Sequence, residues 1–151
     1  MQINWVLKKF DALTPAELYT IIQLRNGVFV VEQNCVYQDA DNKDQKSLHL
    51  SGWVSEELVA YCRLMPPGIS FPECSIGRVV SSPKYRKTGA GRELMNKAIA
   101  TAFDLFNGTT IKIGAQLYLT DFYTSLGFLQ TSEIYLEDGI PHIEMQIKKS
   151  S

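Results

Sequence analysis

The run Arg86-Lys87-Thr88-Gly89-Ala90-Gly91, with Arg92 directly after it, carries the clearest chemical signal in the chain. It lies between an apolar stretch ending at Val79-Val80 and a long amphipathic one. The N–H groups at a helix start have no intrahelical partner, and they coincide with the positive end of the helix dipole, so an anion is attracted there. Gly89 and Gly91 remove Cβ atoms where a phosphate oxygen has to come close, and Arg86, Lys87 and Arg92 set positive charge around the same point. The chemistry is that of a phosphate cradle, best suited to a pyrophosphate. Gly91 is followed by Arg92-Glu93 and not by Lys-Ser/Thr, so a magnesium-dependent P-loop is excluded. Leu94 stands where a dinucleotide fingerprint has its third glycine.

Two other residue types invite an acid–base reading. His49 and His142 are the two histidines, and a free imidazole titrates near neutrality, at about 6.5. Glu32 is a third candidate base. Cys35, Cys62 and Cys74 are odd in number and lack C-x-x-C spacing, which predicts packed thiols, no metal site and no disulfide framework. Arg63 and Arg78 interrupt apolar runs, where an unpaired charge is costly to bury. They pair with Glu32, Glu73, Glu137 or Asp138, or else they hold a carboxylate of an acceptor molecule.

The elements that must position these groups follow from periodicity. A chain of 151 residues, 45% hydrophobic and 11% aromatic, fits one domain over 1–151. Thr14, Pro15 and Glu17 form a helix-start signal, and Leu18, Ile21, Ile22, Val28 and Phe29 keep helical spacing, with Arg25 at the edge of that face. "INWVLKKF" precedes it as a strand. "YQDADNKDQKS" is a long acid-rich loop of the kind that borders sites. "LHLSGWV", "LVAYCRLM" and "CSIGRVV" read as three antiparallel strands. After the basic turn, Leu94 to Phe106 is helical and stops at Asn107-Gly108. "TIKIGA", a short helix ending at Gly127, "FLQTSEIYLED" and "PHIEMQIK" close what reads as one mixed α/β sheet.

Lys and Arg total 15 against 16 acids, a net charge of −1. Neither nucleic acid nor an anionic membrane is an expected partner. No run of about 18 apolar residues and no leader-like start point to membrane or export, so a cytoplasmic location is expected.

The chain resembles the GNAT superfamily of acetyl-CoA-dependent N-acetyltransferases, whose Q/R-x-x-G-x-G/A motif is matched by Arg86, Gly89 and Gly91. More narrowly it resembles the ElaA-type branch, through "RNGVFVVEQ", "SLHL", "AYCRL", "IGRVV", "RKTGAGRELM", "AQ", "FYTSLGF" and "EDGIPHIEM" in that order. Lys87-Thr88, Ala90 and Val36 depart from the usual residues there.

The resemblance implies a mostly antiparallel twisted sheet flanked by helices, with a splayed strand pair that admits acyl-CoA. It implies cofactor contacts at Val79, Val80, Arg86, Lys87, Thr88, Gly89, Ala90, Gly91, Arg92 and Gln116. It also implies the Val80 N–H at the thioester carbonyl and Tyr123 as the acid beside the leaving sulfur. His142, His49 or Glu32 is the base, and Arg63, Arg78, Glu137 and Asp138 contact the acceptor. The implied reaction is direct acetyl transfer to a small-molecule or peptide amine, without metal. The alternative is a non-catalytic acyl-CoA-binding sensor or interaction module. The oligomeric state stays open, a homodimer included. Acids at 32, 39, 41, 44, 137 and 138 are expected to face the acceptor and favour a cationic one.

Overall fold

The computed structural model describes residues 1–150. Its first half is a meander. Strands β1 (Asn4–Lys9), β2 (Leu48–Val54), β3 (Glu57–Met65) and β4 (Ser75–Ser81) pair antiparallel in that order. Helix α1 (Pro15–Arg25) crosses between β1 and β2, and its start is the expected capping box. The Glu17 N–H donates to Thr14 Oγ1 at 3.1 Å, and the Thr14 N–H donates to the Glu17 carboxylate at 2.8 Å.

The helix does not stop at Arg25. Asn26–Glu32 continues as a π-helical segment, in which Gln33 N–H reaches Val28 O and Cys35 N–H reaches Val30 O, each five residues back. Gly27 and the β-branched Val28, Val30 and Val31 are weak α-formers, and a wider turn relieves their crowding. The segment carries Glu32 to Arg86 and Gln33 to Gln116.

The second half starts with α2 (Ala90–Phe106), the crossover from β4 to β5 (Thr110–Gln116). A short α3 (Thr120–Ser125) follows, then β6 (Leu129–Gln130), β7 (Tyr135–Glu137) and β8 (Ile140–Lys148). The β8 strand pairs antiparallel with β5 on one side and with β6 and β7 on the other.

The single mixed sheet expected from the sequence is in fact two four-stranded sheets. β4 and β5 run parallel and touch at one bridge, Cys74 to Ile111, closed by a Lys112 N–H···O Cys74 bond of 3.0 Å. Beyond it they diverge. The predicted strand "FLQTSEIYLED" likewise divides into β6 and β7, because Ser132 Oγ accepts the Glu144 N–H at 2.8 Å and replaces ladder pairing there.

Leu94, Met95, Ala98 and Ala102 of α2 lie buried with Ile76, Ile111, Ile113, Phe128, Ile143 and Met145, so one core underlies both sheets. A smaller cluster of Ile21, Val28, Leu58, Tyr61 and Val80 seats α1 on the other face.

Candidate active site

Between Tyr61↔Val80 and Arg63↔Gly77, the single residue Cys62 of β3 faces both Arg78 and Val79 of β4. This is a β-bulge, and Arg78 takes the left-handed φ of 50° that it needs. The extra residue lies in the part of β4 that is not paired with β5. Ser82 N–H donates to Val59 O at 2.8 Å, so by strand alternation the N–H of Val80 also points to β3, at Tyr61. The N–H groups of Val79 and Ser81 point the other way, into the gap. From β5, the groups of Gly114 and Gln116 share the side taken by Lys112 and face the same gap. The gap opens into a cleft of about 790 Å³.

At one end of the cleft lies the basic turn. Lys87 and Gly89 are left-handed (φ 64° and 87°), which gathers successive N–H groups to one side, and α2 starts at Ala90 with no side chain capping it. A Cβ built on Gly89 or Gly91 would meet nothing within 4 Å. Arg86, Lys87 and Arg92 all line this end. Free N–H donors, open space over both glycines and three cations fit a diphosphate. Two strand edges with unpaired groups fit an amide-bearing arm.

Tyr123 and His142 line the same cleft, both nearly buried at 5% and 6% exposure. The Tyr123 hydroxyl has no hydrogen-bond partner among the described residues, and burial holds the phenol far above its ordinary range, so it is a neutral donor. His142 Nδ1 lies 2.7 Å from Ile140 O. A carbonyl only accepts, so Nδ1 carries a proton, and in the neutral ring the lone pair is on Nε2. Nε2 lies 3.4 Å from the Glu137 carboxylate, and the ring stacks on Tyr135.

The geometry agrees with what the chain is similar to. The acetyltransferase (GNAT) domain family matches residues 21–149. The chain belongs to the GNAT family. It is 41% identical to Protein ElaA of Escherichia coli K12 over 145 residues, 95% of each chain. The crystal structure of E. coli ElaA matches it with a TM-score of 0.91 at 40% identity, over 97% of this chain and 100% of that one. An acyl-CoA N-acyltransferase from Pseudomonas aeruginosa matches with a TM-score of 0.91 at 42% identity, over 97% and 99%. An aminoglycoside 6'-N-acetyltransferase complexed with coenzyme A shares the fold alone, at 17% identity and a TM-score of 0.72 over 95% and 96%.

Of the residues that the GNAT resemblance singles out, the cleft gathers Glu32, Arg78, Val79, Val80, Arg86, Lys87, Gly89, Ala90, Gly91, Arg92, Gln116, Tyr123, Glu137, Asp138 and His142. Thr88 is not among them: its hydroxyl donates back to Tyr85 O. Glu32 is paired with Arg86, which holds its carboxyl below the ordinary range. Such an acid is a weak base.

His49 is not a base. It lies 1% exposed outside the cleft, with Nε2 2.9 Å from Asp44 O and Nδ1 2.7 Å from the Tyr61 hydroxyl. Burial lowers its pKa, and the Asp44 carbonyl offsets this only in part.

The arginines also differ from expectation. Arg63 lies outside the cleft, and its partners are Asp41 (2.5 Å) and Asp44 (2.8 Å), not Glu32, Glu73, Glu137 or Asp138. Arg78 reaches the cleft but spends Nε on Asp39 at 2.8 Å and Nη2 on Asp39 O and Asp41. Arg25 is fully buried rather than at an edge, bonded to Asp39 and Asp44 at 2.8 and 2.9 Å. The acids of the 37–47 loop therefore hold three guanidinium groups and do not face an acceptor. For Asp41, burial opposes the charged form, but Arg63, the Lys43 N–H and Arg78 outweigh it and hold the carboxyl well below its ordinary value.

Sequence reasoning missed Gln33, whose amide exchanges hydrogen bonds of 3.3 and 3.2 Å with Gln116 across the cleft. It also missed Tyr37, which lines the cleft under Arg78 and donates to Asp39 at 2.9 Å. Cys35, whose thiol donates to Asp138 O at 3.4 Å, is buried as expected but lines the cleft too. Continuing the helical count past Gly27 with a π step would have placed residues 32 and 33 there.

Proposed function

We propose that this protein is an acetyl-CoA-dependent N-acetyltransferase that acts on a primary amine by direct attack in a ternary complex. One observation carries the reading: an uncapped, glycine-opened, basic helix start and an unpaired strand gap share one cleft with a buried phenol and a buried imidazole.

The N–H groups of Ala90, Gly91 and Arg92, with the charges of Arg86 and Lys87, would hold the diphosphate. The edges of β4 and β5, including Gln116, would pair with the pantetheine amides. The bound thioester supplies an activated acetyl group, and the chain's own groups do the rest. The Val79 N–H, rather than that of Val80, faces the gap where negative charge develops on the carbonyl oxygen. His142 Nε2 takes the proton from the attacking amine, and the Glu137 carboxylate faces the charge that the ring then acquires. As the new C–N bond forms and the C–S bond breaks, the Tyr123 hydroxyl gives its proton to the sulfur, and solvent returns the proton from His142 to Tyr123.

Tyr123→Phe keeps the ring and its edge contacts with Phe122 and Phe128 and removes the donor alone. Turnover should fall about 10² to 10⁴-fold, with little change in cofactor affinity. The measurement is release of coenzyme A thiol with an amine panel, above the rate of hydrolysis. No amine-dependent release with the parent protein would favour the acyl-CoA-binding module. The three cysteines are free and buried, as a reducing compartment such as the cytoplasm permits.

A further inference from the structure

We propose that the acceptor carries a second positive charge, on a tail beyond the amine that reacts. The proposal rests on the acyl-transfer reading above and concerns which amines that site prefers.

Outside the basic turn, the charged groups that line the cleft are Glu32, Arg78, Glu137, Asp138 and, when protonated, His142. Glu32 lies beside Arg86, at the basic turn. Arg78 belongs to a closed set in which Arg25, Arg63 and Arg78 meet Asp39, Asp41 and Asp44, three cations against three anions. That set has no net charge to offer a carboxylate. Glu137 and Asp138 remain, with no cation paired to either among the described residues except the His142 ring.

These two acids are also held in place. They belong to the β7–β8 turn, where Asp138 is left-handed (φ 51°) and its carbonyl is tied to the Cys35 thiol. The turn sits against the proton-accepting nitrogen of His142, which is opposite Gln116 in the β5–β8 register. An amine delivered to Nε2 therefore enters past a carboxylate-bearing rim. A tail with a cation has partners there, a neutral tail has none, and a carboxylate tail meets like charge.

Three primary amines of similar length isolate the tail: 1,4-diaminobutane, n-pentylamine and 5-aminopentanoic acid. With saturating acetyl-CoA and constant ionic strength, kcat/KM should be highest for the diamine and lowest for the amino acid. Asp138→Asn removes the charge while asparagine tolerates the left-handed backbone. It should lower the diamine-to-pentylamine ratio of kcat/KM by about threefold to fivefold, the scale of one exposed charge pair. Glu137→Gln should lower the same ratio. Glu57→Gln, at a surface pair with Lys84, should not.

Equal kcat/KM across the panel, a preference for 5-aminopentanoic acid, or an unchanged ratio in both rim variants would overturn the proposal while leaving acyl transfer intact. If no amine in the panel releases thiol although acetyl-CoA binds, the proposal falls together with the reading it rests on.

Discussion

Arg25, Arg63 and Arg78 form one group of three basic residues, and Arg86, Lys87 and Arg92 form another, with opposite fates. The first group is met by three aspartates from one loop, at 2.5 to 3.4 Å, and Arg25 and Arg63 are 0% and 2% exposed. The second group lies exposed around a turn whose N–H groups no side chain caps. Charge that is matched and buried serves the fold, tying the 37–47 loop to α1, β3 and β4. Charge left at an open helix start is available to a ligand. The residue type alone does not distinguish the two cases, whereas the source of the counter-charge does.

The comparison is tested hardest by Asp44→Ala. It leaves Arg25 and Arg63 each short of a buried partner, and breaking such a pair costs about 3 kcal/mol or more, a fall in Tm of roughly 6–12 °C for a chain of this size. Thermal and urea unfolding measure it. A loss below about 1 kcal/mol would mean that the buried group holds little.

In the open group, Gly91→Val should leave unfolding without ligand nearly unchanged, since nothing of the protein lies within 4 Å of a Cβ there. It should weaken stabilisation by acetyl-CoA by at least about tenfold in apparent affinity. Arg86→Ala should have a smaller effect in the same assay, about threefold to tenfold, because its guanidinium is exposed and already shared with Glu32. If both variants respond to acetyl-CoA like the parent, the turn is not the phosphate site.

The smallest effect is a pH limb that belongs to the buried region. The folded-state pKa of His49 lies below its ordinary 6.5, so the unfolded chain binds its proton first. The stabilisation is complete above about pH 6.5 and is lost as pH falls. Asp41 and Asp44 are also lowered, so their contribution is present above about pH 4 and is lost below it, which steepens the decline. Urea midpoints against pH should show both limbs, and His49→Gln should flatten the upper one. A midpoint that is level between pH 7 and 5 in the parent would contradict the buried, neutral His49.

What was legible in the sequence follows the same division. The phosphate turn is local, since its glycines, cations and helix start lie within seven residues of chain, and the elements on either side were placed by periodicity. The arginine partners are 14 to 39 residues away, and nothing in an acid-rich loop says which buried cation it will meet. The bulge left no mark either. Gly77 invites a bend in β4, but Arg78 takes the left-handed backbone, while Gly77 makes room for the Met65 methyl, which would lie 2.9 Å from a Cβ. His49 and His142 look alike as letters. Both lie buried in inner strands, His49 bonded to the loop and His142 lining the cleft, a difference set by long-range strand pairing.

The divergence of β4 from β5 should also be visible in amide hydrogen exchange. Val79, Ser81, Gly114 and Gln116 sit in strands, yet their N–H groups face the gap, while those of Val80, Ile113 and Ala115 point into ladders. Deuterium should therefore enter these two strands at every second residue, fast and slow in alternation, instead of along whole strands. The Lys112 N–H, bonded across to Cys74 O, marks where the fast set ends. An added strand-like molecule in the gap would slow the fast set and leave the slow set as it was, which makes this two-residue rhythm a readout of occupancy residue by residue.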